Sequence, residues 1–345
     1  VAGALPVMSQ EYLDAIAEGD IPGHFRFRKL GYSATIGNGQ YDLWEVATPA
    51  SYVFPDTAKQ MQIKAGNAED HGAAIHTGTA TGGTTTTLVD NAGGTDFTGG
   101  TAAAAGDYVI IQQGNRVVWG IATTVAAKTI TCAGGFSDGA TPAVGNTYSI
   151  IDVTHANTSG INVVGIEYLD TAWQEKETYI VLNGASAVDS TPTDMFRIQR
   201  MHTLVAGSTK AAVANVVLVD RATGAITYCM IAAGNNTDTQ TIWTVPALDY
   251  DGKALTAAYM IMWHVSSVKA SGTPPTTFRL RATFDKTKNN PGTFYLKDII
   301  TVVDNNASVD FRSPIRIPAK SDIKISVKGT TADTICTARF SGWYE

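Results

Sequence analysis

Apolar and polar residues alternate along most of this chain, most clearly between Ile161 and Leu204. Side chains of a strand point to opposite faces in turn, so alternation over this length predicts a meander of strands. In its middle run Trp173, Glu175, Glu177, Tyr179 and Val181 share one face, and Gln174, Lys176, Thr178, Ile180 and Leu182 share the other. Asn183-Gly184 and Asp189-Ser190-Thr191-Pro192 supply the turns before Phe196, Ile198 and Leu204 resume the pattern.

The same period predicts further strands. Residues 41–64 read as two strands broken at Thr48-Pro49 and Phe54-Pro55, the second with Met61, Ile63 and Ala65 in alternation. Residues 213–220 and 225–232 form a hairpin around Arg221-Ala222-Thr223-Gly224. Beyond it come 240–245, 257–268, 277–285 with Phe278, Leu280, Ala282 and Phe284 on one face, 322–328 and 334–343. Helical spacing is confined to a short helix expected after Ser9, with Tyr12, Leu13 and Ile16 on one side and Gly19 at its end. The fold expected is all-β: a jelly-roll-like sandwich from residues 41–76 and 156–345, preceded by an N-terminal arm of residues 1–40. In the arm, Phe25, Arg26, Phe27 and Arg28 alternate as in an edge strand, the alternative being an arm that contacts a neighbouring subunit.

Composition changes the picture between residues 77 and 155, where Gly, Ala and Thr dominate. Short strands remain visible at 86–90, 107–112, 116–124, 129–132 and 147–153, spaced as in a small barrel or sandwich inserted into a loop of the parent fold. Tyr108, Trp119, Phe136 and Tyr148 are its main large side chains. A small core predicts a weak hold on the sandwich and a module that can be removed.

Over the whole chain, 345 residues leave room for two domains. Only 16% are charged, against about 25% in an average domain, which suggests a surface that meets other protein. The net charge of −6, with no run of Lys and Arg, argues against nucleic acid as a partner. Cys132, Cys229 and Cys336 fit neither a disulfide framework nor a zinc pattern and are expected as buried thiols. No stretch approaches the ~20 apolar residues of a membrane span. Val1 in place of Met fits methionine removal or cleavage of a leader.

Candidate chemistry is sparse. Glu69, Asp70, His71 and His76 are the nearest approach to a metal-ligand cluster, and ordinary loop polarity is preferred, so neither metal nor cofactor is expected. Asp249-Tyr250-Asp251-Gly252 and Asp304-Asn305-Asn306 lack the spacing of a calcium loop. No nucleophile elbow, metalloprotease helix or phosphate loop occurs. His202 and His264 fall in strand patterns and read as half-buried structural histidines, and Glu175 and Glu177 as one wet face. Trp44, Trp119, Trp173 and Trp243 are candidate aromatics for a sugar platform, with Trp44 and Trp119 as the surface pair, although core or interface placement is preferred.

One resemblance goes beyond these patterns. Val164-x-Gly165-Ile166-x-Tyr168-Leu169-Asp170, Glu175-Lys176-Glu177 running into Val181-Leu182-Asn183-Gly184, and Phe196-Arg197-Ile198-Gln199-Arg200 resemble a family of tailed-bacteriophage virion structural proteins. Tyr41-Asp42-Leu43-Trp44, Tyr52-Val53-Phe54-Pro55, Trp243-Thr244-Val245-Pro246-Ala247 and Pro314-Ile315-Arg316-Ile317-Pro318 extend the resemblance. It implies a non-enzymatic particle component made in the host cytoplasm and located in the virion. The expected role is a capsid-decorating or cement protein that assembles as a homo-oligomer, a trimer for preference, on partners such as the major capsid protein. A tail, collar or baseplate component is the first alternative. A carbohydrate-binding adhesin or receptor-binding module, with a host-surface glycan as partner, is the alternative of another class.

Overall fold

Strands account for the period-2 pattern throughout the computed structural model, which describes residues 21, 23–92, 95–155, 158–269, 272, 275–283, 293–303, 305–329 and 334–345. The helix expected after Ser9 and the position of Phe284 lie outside the described residues. The protein is all-β: among the described residues there is no α-helix, only a short 3-10 turn at Ser137–Gly139. In chain order the strands are β1 (Phe25–Ile36), β2 (Gln40–Asp42), β3 (Met61–Ala65), β4 (Ala73–Thr79), β5 (Gly82–Thr84), β6 (Thr87–Val89), β7 (Tyr108–Gln113) and β8 (Arg116–Ile121). Then follow β9 (Thr124–Ala126), β10 (Thr129–Thr131), β11 (Thr147–Asp152), β12 (Ile161–Leu169), β13 (Glu175–Val181), β14 (Val188–Asp189), β15 (Arg197–Ala206) and β16 (Val216–Asp220). The last are β17 (Thr227–Ile231), β18 (Trp243–Thr244), β19 (Ala257–Val268), β20 (Pro275–Ala282), β21 (Tyr295–Val303), β22 (Asn306–Pro318), β23 (Asp322–Lys328) and β24 (Thr334–Tyr344). All their ladders are antiparallel, and among the described residues no sheet closes into a barrel.

The chain divides into two compact units, the first built from residues 1–58, 171–174 and 239–345, the second from 59–170 and 175–238. In the first, the sheet β1-β24-β19-β22 and the sheet β18-β23-β20-β21, which β2 joins by pairing with β23, share one core. Strict alternation explains the second sheet: Phe278, Leu280 and Ala282 of β20 and Ile323, Ile325 and Val327 of β23 point inward. From the first sheet come Phe27, Met260, Trp263, Val265, Ala338 and Phe340. Phe27 stacks on Trp243 with ring centroids 4.3 Å apart. Gly342, opposite Phe27 in the ladder, makes this possible: a Cβ there would lie 1.9 Å from the Tyr259 carbonyl oxygen and 2.9 Å from Phe27 Cζ. Asp42 is buried at the edge of this core, accepting hydrogen bonds from Lys324 Nζ, Ser326 Oγ and the Tyr52 amide, each at 2.8 Å. Residues 43–60 contain only isolated bridges where a strand was expected, since Pro49 and Pro55 have no N–H for a ladder. β1 is an edge strand of the sheet over residues 25–36, so this part of the expected arm belongs to the first unit.

The second unit contains the meander as the sheet β13-β12-β15, the sheet β14-β3-β16-β17, and the two sheets of the Gly/Ala/Thr-rich region, β5-β6-β10-β9 and β4-β11-β7-β8. The meander's central strand is buried along its length except at Glu167. All five strands expected in the Gly/Ala/Thr-rich region are present, and β4, β5 and β9 are additional. β4 and β11 pair with His76 opposite Ile150, so the chain enters and leaves the module on neighbouring strands. Between the module's two sheets lie Leu88, Phe97, Val109, Ile111, Val118, Ile130, Phe136, Tyr148 and Ile150. Part of the other face of β7, β8 and β11 is buried too: Ile110, Val117 and Ile151 pack with Val163 and Val205 of the meander, while Trp119 and Ile121 on the same face stay exposed. The run Val109-Ile110-Ile111 is therefore apolar without alternation, as a strand covered on both faces requires. This places the module's strands in one compact unit with the meander, whereas the sequence suggested a boundary at residues 77 and 155.

Candidate functional site: an acidic cluster around His202

Three strands of the meander bring together residues that the sequence treats separately. In the β12 ladders Glu167 stands opposite both Glu177 of β13 and Arg200 of β15, and Gly165 stands opposite Tyr179 and His202. Directly opposed residues share a face, so Glu167, Glu177, Arg200 and His202 converge. Gly165 makes the room: a Cβ there would lie 2.8 Å from His202 Cε1, so the imidazole lies across the bare strand between two carboxylates. His202 Nε2 is 3.5 Å from Glu177 Oε1 and Nδ1 is 3.8 Å from Glu167 Oε1, which also receives Arg200 NH1 at 3.3 Å. Nδ1 is buried without a hydrogen bond.

The cluster is also a joint between the meander and the module. Glu177 accepts the Val117 amide at 3.1 Å through Oε2, donates its own amide to the Asn115 carbonyl at 2.7 Å, and its carbonyl accepts Gln112 Nε2 at 2.9 Å. Two positions along β13, the Tyr179 hydroxyl hydrogen-bonds Ser149 Oγ at 3.0 Å. Beside the joint is a cleft of about 430 Å³ lined by Gln112, Ser149, Lys176, Glu177, Tyr179 and Asp189 among others. Lys176 is held by Asp194 at 2.8 Å and Asp170 at 2.9 Å.

Burial raises the Glu177 carboxyl to about 7, helped by the charge of Glu167 and opposed by the Val117 amide and Arg200. Burial lowers the His202 imidazole, against the pull of Glu167. A group that exchanges a proton near neutrality thus sits at a structural joint.

The other candidate residues do not converge. The Asp70 carboxylate is fully buried and accepts the amides of Ile161, Val213 and Ala214, each at 2.9 Å, thereby tying two loops of the second unit together. Glu69 accepts Ser159 Oγ at 2.6 Å, the His71 carbonyl accepts Asn162 Nδ2, and His76 sets its ring edge-on to Phe97. Among the described residues no three His, Cys, Asp or Glu side chains form a group able to hold a metal, and no helix is long and apolar enough to cross a membrane. Asp249 closes a turn with the amides of Asp251 and Lys253; Asp304 lies outside the described residues. The three cysteines are buried and, among the described residues, form no disulfide. In β1, Phe27 is buried, Phe25 half-buried on Tyr344, and Arg26 and Arg28 exposed.

The tryptophans divide. Trp44, one of the two candidate surface aromatics, is 6% exposed, in line with the preferred core placement; its Nε1 donates to the Ala50 carbonyl and its ring meets Tyr52 edge-on. Trp173 precedes β13 rather than belonging to it: its φ of 63° turns the chain, and its carbonyl accepts the Ala247 amide at 2.9 Å. Trp243 is buried in the first unit's core. Glu167 was not singled out from the sequence; the signal for it was Gly165, since a glycine inside a strand marks a close approach. No protein-family model matches the sequence, and no curated protein matches it.

Proposed function

We propose that the chain is a non-enzymatic structural protein of a tailed-bacteriophage particle, a capsid-decorating or cement protein that forms a closed symmetric oligomer, preferably a trimer, and contacts the major capsid protein. The finer jelly-roll winding and location in the virion belong to this proposal. The motifs from Val164 to Arg200 support it through their resemblance to such proteins. The observation that carries the assembly reading is β21: it ends its sheet among the described residues, and Tyr295, Leu296, Ile299 and Val303 along it are each about half exposed. An exposed apolar edge strand invites aggregation unless another protein covers it. The use of Asp42, Asp70 and Lys176 in structural contacts supports a non-enzymatic role.

The test combines light scattering on the purified chain with immunogold labelling of intact particles. A discrete oligomer at micromolar concentration that Ile299→Lys reduces to monomer, with label on the particle, is the expected result. Monomer alone, together with unlabelled particles, overturns the reading.

A further inference from the structure

The second unit carries an exposed aromatic beside a cleft. We propose that a cleft beside Trp119 binds a saccharide bearing a carboxylate, its ring against Tyr108 and Trp119 and its charge on Lys210. This does not depend on the assembly reading.

Of the six tryptophans, five are at most 6% exposed, whereas Trp119 is 38% exposed. It lies beside Tyr108, ring centroids 6.1 Å apart and planes inclined by 36°. Tyr108 and its ladder partner Ile121 line a cleft of about 350 Å³ together with Val153, Ser208 and Lys210. That is within the size of small-ligand sites, which combine an apolar floor with few polar groups. The floor is fixed, because β7 and β8 pair over their whole length and their other face is buried in the module's core.

The backbone that carries Lys210 is held in a tight turn. Lys210 has a φ of 58°, an uncommon conformation for a residue with a side chain, and its amide donates to the Gly207 carbonyl at 3.2 Å. The turn is pinned where the Gly207 amide meets the Gly160 carbonyl at 2.8 Å and Thr209 donates to the Ser159 carbonyl through both its amide and its hydroxyl. A Cβ on Gly207 would lie 1.7 Å from the Thr158 carbonyl oxygen, so this loop tolerates no displacement by a larger residue. Lys210 is exposed and forms no ion pair among the described residues. An ammonium carried on a fixed turn at the rim of an aromatic cleft is a recognition element for one anionic group.

The chemistry narrows the ligand. A pyranose presents a face of C–H groups, weakly positive, which suits the negative face of an aromatic ring. Its hydroxyls match Ser208 and the carbonyls of the turn, and its carboxylate matches a single ammonium. A nucleotide or other polyphosphate needs more cations than this cleft offers, in a chain of net charge −6.

The experiment is calorimetric titration of the full chain with sialyllactose, trigalacturonate, lactose and adenosine monophosphate. One of the two carboxylated sugars binds, and lactose and the nucleotide bind at least about tenfold more weakly. Trp119→Ala weakens the binding by about tenfold, as loss of an aromatic contact does. Lys210→Ala weakens it by about fivefold at low salt, and this difference shrinks at high salt. Melting curves accompany each variant; should Trp119→Ala melt early, Lys210→Ala, a truncation of an exposed side chain, decides. Equal binding of lactose, stronger binding of the nucleotide, wild-type affinity in the Lys210 variant, or no binding at millimolar sugar each overturns the proposal.

Discussion

The first unit and the Gly/Ala/Thr-rich module both close two sheets over a core, but with opposite side chains. In the first unit Phe27, Trp243, Trp263, Phe278, Phe340 and Tyr344 fill one thick core between two sheets. The module relies on Leu, Val and Ile with few rings, yet one of its sheets is also covered on part of its second face. The difference teaches that the number of large side chains does not measure how firmly a region is held. Ile110, Val117 and Ile151 are small residues by comparison, but they secure the module to the meander, and the Glu177 joint adds hydrogen bonds to them. The sequence expectation of a weakly held, removable module followed from counting rings.

Removing the module is the largest test of this contrast. Replacement of residues 77–155 by a Gly-Ser loop bares Val163 and Val205 and strands Glu177 without Val117, and the product is expected to aggregate or lose cooperative unfolding, as followed by circular dichroism during heating. A deletion protein that melts like the parent would bear out the removable module. A smaller test compares the two faces of one strand. Ile110→Ala and Ile111→Ala are each expected to cost about 2–4 kcal/mol in urea denaturation, because each leaves a cavity in a separate core. A cost below about 1 kcal/mol at Ile110 alone would show the second face to be loosely packed.

The smallest effect concerns the joint. A carboxyl whose folded pKa is raised is bound to its proton more tightly in the folded state, so its contribution is full below the unfolded value near 4.5 and is lost as pH rises towards 7. Glu177→Gln keeps the shape without the charge. It is expected to stabilise the protein at pH 8 by about 1–2 kcal/mol and to match the parent near pH 4.5. Stability curves that differ by the same amount at both values would show that Glu177 does not titrate as described.

Much of this fold was legible in the sequence because alternation is local. Phe278, Leu280 and Ala282 face the core as read, and Met61, Ile63 and Ala65 do the same in β3. The hairpin at Arg221 to Gly224 forms where its turn residues stand, with Gly224 at a φ of 62°. What escaped depends on contacts distant in sequence. Nothing local says that Ile110 is covered by Val163 and Val205. The cluster escaped for the same reason: Glu167, Glu177 and His202 come from three strands, and only the ladder register sets them on one face. Trp44 and Trp119 look alike in sequence, and the contacts each finds, Tyr52 and Ala50 for one, the rim of a sheet for the other, decide which is exposed.

The pairing of β1 with β24 has a consequence for synthesis. Leu30 finds its ladder partner in Arg339, roughly 300 residues later, and no other strand among the described residues pairs with β1. At ~5–20 residues per second, a ribosome takes ~15–60 s to deliver that partner. Residues 59–238, which supply the second unit, emerge well before then. The second unit can therefore fold on the ribosome while Phe27 and its neighbours wait with an open edge. Exposure of β1 to chaperones should therefore last until β24 has been made.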